Sequence, residues 1–88
     1  MQDKQRKQEL SQALGRVIKN LRKDSNVSAR ALSYSLNMSK TTLLLAEQGK
    51  LDPQLSTFCN LAEAFYKTPE EFMKLVVKEL PEKWFQGE

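Results

Sequence analysis

The sequence predicts a single small all-α domain of five helices. Three observations carry the prediction. Apolar residues recur at the spacing of one helix face through most of the chain. Capping and helix-ending residues fall between those stretches. Finally, 88 residues, 40% hydrophobic and 28% charged, suffice for one core and little else.

The first helix is expected over roughly residues 5–24, where Leu10, Leu14, Val17, Ile18 and Leu21 line one face and Arg16, Lys19, Arg22 and Lys23 fall mostly elsewhere. It stops at Asp24-Ser25-Asn26, whose side chains compete for backbone hydrogen bonds and favour turns. Ser28 offers an N-cap oxygen to a short second helix, Ala29 to about Ser35, with Ala31, Leu32 and Leu36 as its apolar contacts. Asn37 tolerates the left-handed conformation that ends a helix abruptly. After Met38, Ser39 caps a third helix, Lys40 to about Gln48, with Leu43 and Ala46 inward and Gly49 at its end. Short helix, tight turn and short helix give residues 28–47 the shape of a helix-turn-helix.

Pro53 interrupts the chain before Leu55, Phe58, Leu61, Ala62 and Phe65 mark the aromatic inner face of a fourth helix. Thr68-Pro69-Glu70-Glu71 opens the fifth with an N-cap, a proline at the first helical position and a glutamate able to close a capping box. Phe72, Leu75, Val76 and Leu80 form its inner stripe, and Pro81 marks its end. The domain is therefore expected at 10–80, between a basic polar extension at 1–9 and an aromatic tail at 81–88. The extension either lengthens the first helix, adds phosphate contacts or stays unstructured. In the tail region, Val77, Leu80, Trp84 and Phe85 are too apolar to be indifferent. They either clasp their own core or form a two-fold dimer interface.

Composition excludes whole classes of chemistry. The chain has no histidine and one cysteine, Cys59, and its carboxylates do not cluster at metal-ligand spacing. No enzyme, metal or cofactor is expected, and Cys59 reads as a small core residue. Without a disulfide, nothing requires an oxidising compartment, and the cytoplasm is the expected location. No stretch approaches the roughly 20 apolar residues of a membrane helix. Charge is uneven: residues 1–50 hold ten Lys/Arg against four Asp/Glu, whereas residues 51–88 hold four against seven. A basic half of this kind suits a polyanionic partner.

From Leu14 to Phe72 the chain resembles the lambda-repressor-like helix-turn-helix domains of the Cro and XRE type. The matching residues are Leu14-Gly15, Ile18, Leu21-Arg22, Ser28, Leu32, Asn37-Met38-Ser39, Leu43, Ala46-Glu47, Gly49, Pro53, Leu61-Ala62-Glu63-Ala64-Phe65 and Thr68-Pro69-Glu70-Glu71-Phe72. The resemblance implies a bacterial or phage-type transcriptional regulator that binds double-stranded DNA, as a homodimer on two half-sites, with its third helix in the major groove. It places Ser39, Lys40, Thr41, Leu44 and Leu45 toward the groove, and Ser28, the Ala29 amide, Arg30 and Lys50 toward phosphate. Two features depart from the family. Ala29 stands where a glutamine is common, and Leu44-Leu45 put apolar side chains where polar ones usually face outward. Those leucines would pack on thymine methyls, or they would make the surface a protein-interaction module of an antitoxin-like or adaptor kind.

Overall fold

The computed structural model describes residues 3–86; residues 1 and 2 of the extension and 87 and 88 of the tail lie outside it. Five α-helices follow in order: α1 (Asp3–Asp24), α2 (Ala29–Ser35), α3 (Lys40–Glu47), α4 (Leu55–Ala64) and α5 (Pro69–Lys78), with a closing 3₁₀ turn at Glu82–Gln86. No strand occurs among the described residues. α1 runs unbroken from Asp3, so residues 3–9 form its first turns. At 1.5 Å per residue its 22 residues span about 33 Å, which accounts for the long axis of the 40 × 23 × 21 Å molecule.

The caps anticipated from sequence are formed. Ser28, Ser39 and Thr68 accept hydrogen bonds from the amides of Ala31, Thr42 and Glu71 at the starts of α2, α3 and α5. At α5 the box closes reciprocally, the Thr68 amide donating to Glu71 Oε1 at 2.8 Å. That bond, and then the Thr68 hydroxyl, holds the Glu71 carboxyl below the ordinary glutamate range.

Helix ends obey one rule. After α1, α2, α3 and α4 the chain places Asn26, Asn37, Gly49 and Tyr66 in the left-handed region, at φ 57°, 55°, 76° and 59°. The amide of that residue and the one after it then bond back to carbonyls in the helix, as Asn37 N to Tyr34 O (3.1 Å) and Met38 N to Ser33 O (3.0 Å) show at α2. Asparagine and glycine accept this conformation at little cost, whereas tyrosine does not. Tyr66 is 98% exposed, so its ring contributes no packing in return. Tyr66→Gly is therefore expected to raise the unfolding free energy by about 1 kcal/mol, read as a higher urea midpoint at unchanged slope.

The core gathers the stripes of all five helices, with Ile18, Leu43, Leu61, Phe72 and Val76 fully enclosed. Phe72 is its centre, with the Phe58 ring at 5.1 Å and the Phe65 ring at 6.4 Å. Ser33, small and buried, satisfies its hydroxyl on Arg30 O at 2.8 Å.

Four expectations change. Ala31, expected as an apolar contact of α2, is exposed, because it lies one residue and so about 100° round the helix from the buried Leu32. Leu55 is 77% exposed instead of inward, because it opens α4 while α5 packs on the later turns, where Phe58 and Phe65 meet Phe72. Cys59 is half-buried, lying one residue and so about 100° round the helix from Phe58. The apolar tail region divides. Leu80 packs against the core, and the Trp84 indole donates to Arg6 O at 2.9 Å while the Arg6 guanidinium lies 4.1 Å from its ring centre. Trp84 thus clasps the first turns of α1, while Val77 and Phe85 remain exposed.

Candidate nucleic-acid interface

The site is built from the bottom by how α3 is held. α1 and α2 both pack against it, and α1 does so through an unusually close approach. A Cβ on Gly15 would stand 2.5 Å from Glu47 O and 2.6 Å from Ala46 O, so only glycine lets the last turn of α3 rest on α1. Beyond that contact the Arg22 guanidinium grips Glu47 in a fork, Nε to Oε2 at 2.6 Å and Nη2 to Oε1 at 3.0 Å. Its remaining Nη1 donates to Val27 O at 3.2 Å, tying in the α1–α2 loop. The two side chains are only 15% and 4% exposed, and the hydrogen bond to Glu47 raises the Arg22 pKa further above its ordinary value. The carboxyl end of α3 is thereby fixed and its amino end is left at the surface.

At that free end Lys40 and Thr41 are exposed, as is Ser39. The Ser39 hydroxyl is already engaged: it accepts from Thr42 N at 3.0 Å and donates to Thr42 Oγ1 at 2.8 Å. Lys40 and Thr41 therefore carry the free polar groups of the first turn. Ser28 and Arg30 are exposed at the start of α2, where the Ala29 side chain is buried and only its amide is available. Lys50 is exposed just past α3, in the loop shaped by Gly49.

Charge around these groups is one-sided. Neither α2 nor α3 has an acidic residue in its first turn, so the positive ends of both helix dipoles are unopposed. Ion pairs among the described residues join Lys7 to Asp52, Arg16 to Glu79 and Arg22 to Glu47. Arg30, Lys40 and Lys50 have no carboxylate partner among them.

The family model described as a helix-turn-helix domain matches residues 13–73, from the middle of α1 into α5. The chain belongs to this family. Two crystal structures of the clp gene regulator ClgR from Corynebacterium glutamicum share the fold of this helix-turn-helix domain, each at 19% sequence identity. One superposes with a TM-score of 0.76 over 82% of this chain and 92% of the other, the second with 0.77 over 88% and 82%. No curated protein matches the chain.

Within this helix-turn-helix, the exposure expected of Leu44 and Leu45 is not found. Both are half-buried, and Leu44 packs against the core. It lies on the edge of the α3 face that carries buried Leu43 and the enclosed Glu47, and that neighbourhood covers it. Among the described residues, the exposed large hydrophobic ones are instead Tyr34, Leu55, Tyr66, Met73, Val77 and Phe85. Tyr34 was not anticipated as a surface feature of the motif. It lies four residues after Arg30, so the two share a side of α2. The Arg22–Glu47 clamp was also invisible locally, since 25 residues separate its partners. No metal-binding group of three or more His, Cys, Asp or Glu occurs among the described residues, and no described helix is long and apolar enough to cross a membrane.

Proposed function

We propose that the chain is a sequence-specific DNA-binding transcriptional regulator that inserts α3 into the major groove and acts as a dimer on two half-sites. The observation that carries this reading is the amino end of α3. It is a rigidly backed, exposed helix start with no acidic residue in its first turn, and it carries Lys40, a cation without a carboxylate partner among the described residues. Lys40 is suited to guanine O6 and N7 or to phosphate, and Thr41 to a base edge or thymine methyl. Leu44 and Leu45 supply apolar contact, and the committed Ser39 hydroxyl holds the turn in place. The Ser28 hydroxyl, which accepts from Ala31 N, keeps its proton to donate to phosphate beside the Ala29 amide, with Arg30 and Lys50 adding charge. Because both leucines are half-buried, they offer a docking protein less apolar surface than the sequence suggested.

The test is selection of bound sequences from random duplex DNA, then titration of the selected and a scrambled duplex over a range of salt. A specific reader binds its motif about a thousandfold or more above the scramble. Equal, weak and steeply salt-dependent binding to both would refute the proposal. Lys40→Ala and Thr41→Ala are each expected to weaken binding to the selected motif by about tenfold to a hundredfold and to relax preference at one base position. Lys50→Ala should instead weaken all duplexes alike and lower the salt slope by about one.

A further inference from the structure

We propose that the pocket between α1 and the α4–α5 pair is a binding site for a small phenol, a neutral molecule of one aromatic ring bearing a hydroxyl. No residue of α3 lines this pocket, so the site is separate from the candidate nucleic-acid interface.

The three helices do not close completely where they meet. Buried Leu14, Phe58 and Val76 wall a cavity of about 200 Å³, and the exposed Leu55 and Met73 line it as well, so it opens to solvent beside them. An apolar cavity of about 150 Å³ accepts benzene, which leaves room here for one ring and a substituent. Met73, unbranched and polarizable, adapts to a ring edge at the mouth.

Two polar groups of the lining select the substituent. Of the two buried serines, Ser33 satisfies its hydroxyl on Arg30 O at 2.8 Å, whereas Ser11 lines the cavity and makes no side-chain hydrogen bond among the described residues. A buried hydroxyl without a partner costs free energy that a ligand recovers by bonding to it. Asp52 lines the same cavity and pairs with Lys7 through Oδ2 at 3.7 Å, which leaves Oδ1 to accept. Since Lys7 and Asp52 cancel in charge, the pair favours a neutral occupant over an ammonium or a carboxylate. A hydroxyl meets both requirements, donating to Asp52 Oδ1 and accepting from Ser11 Oγ, whereas an N–H group would leave the serine unpaired.

The experiment titrates p-cresol, and separately toluene, into the isotope-labelled full chain without DNA and follows the amide chemical shifts. p-Cresol is expected to saturate with a Kd of about 0.1–1 mM, the range open to eight non-hydrogen atoms, and to move the amides around Ser11, Asp52, Phe58 and Met73 most. Toluene keeps the ring and the methyl group but lacks the hydroxyl, and should bind about tenfold more weakly. Ser11→Ala and Asp52→Asn should each remove most of that preference while leaving toluene affinity within about twofold. Ser11→Leu, whose side chain takes up the cavity, should abolish binding of both ligands with helical circular dichroism unchanged. Failure of p-cresol to saturate in the millimolar range overturns the proposal. So do equal affinities for the two ligands, shifts confined to another face, or a preference that survives both Ser11→Ala and Asp52→Asn. Binding is read without DNA, so failure to select a DNA motif would refute the functional reading and leave this one standing.

Discussion

Glu47→Ala is expected to remove about 3–5 kcal/mol of unfolding free energy, the largest loss from any single side chain outside the apolar core. The reason is what the substitution leaves behind. Arg22 would keep its charge in a site where its side chain is 15% exposed, with only the Val27 carbonyl at 3.2 Å to receive it. A domain of this length is stable by roughly 5–10 kcal/mol, so the variant would be marginal near room temperature. Urea denaturation followed by circular dichroism measures it. Replacing both partners, as in Arg22→Met with Glu47→Leu, should recover most of the loss, because desolvation of the pair cancels much of its attraction. A Glu47→Ala protein within about 1 kcal/mol of wild type would show that the pair is solvated and that α3 is held by packing alone.

Gly15→Ala should destabilise the protein by about 1–3 kcal/mol, against the direction that helix propensity dictates. In the interior of an isolated helix the change would gain about 1 kcal/mol. Here the added methyl meets two backbone carbonyl oxygens at 2.5 and 2.6 Å, and backbone cannot step aside by changing rotamer. α1 and α3 must separate, straining the Arg22–Glu47 fork, since Glu47 bears one of those carbonyls. Affinity for the selected duplex should fall with stability, because α3 loses its seat. Unfolding curves and titration of the selected duplex test both parts, and a Gly15→Ala variant as stable as wild type would sink the close-approach argument.

Much of the fold was legible because it is written locally. Ser28, Ser39 and Thr68 announce helix starts, Asn37 and Gly49 announce ends, and the spacing of Phe72 and Val76 announces a buried face. These signals act over three to seven residues, the range in which sequence order is also spatial order. Tyr66 shows where local reading stops. Nothing in its chemistry suggests a left-handed residue, and the geometry is imposed by how α4 must turn to start α5.

Residue order alone dictates five helices, the side-chain caps of α2, α3 and α5, and which positions of α3 belong to its first turn. Tertiary structure alone decided which of those residues are free to act. It engaged the Ser39 hydroxyl with Thr42, sheltered Leu44 against the core, and turned Trp84 onto Arg6 while leaving Leu55, Met73 and Val77 in the open. It also joined Arg22 to Glu47 across 25 residues and made Gly15 indispensable. The physical reason is that amphipathicity says which side of a helix is apolar but not which neighbour covers it. Coverage depends on how helices distant in the chain come to lie together.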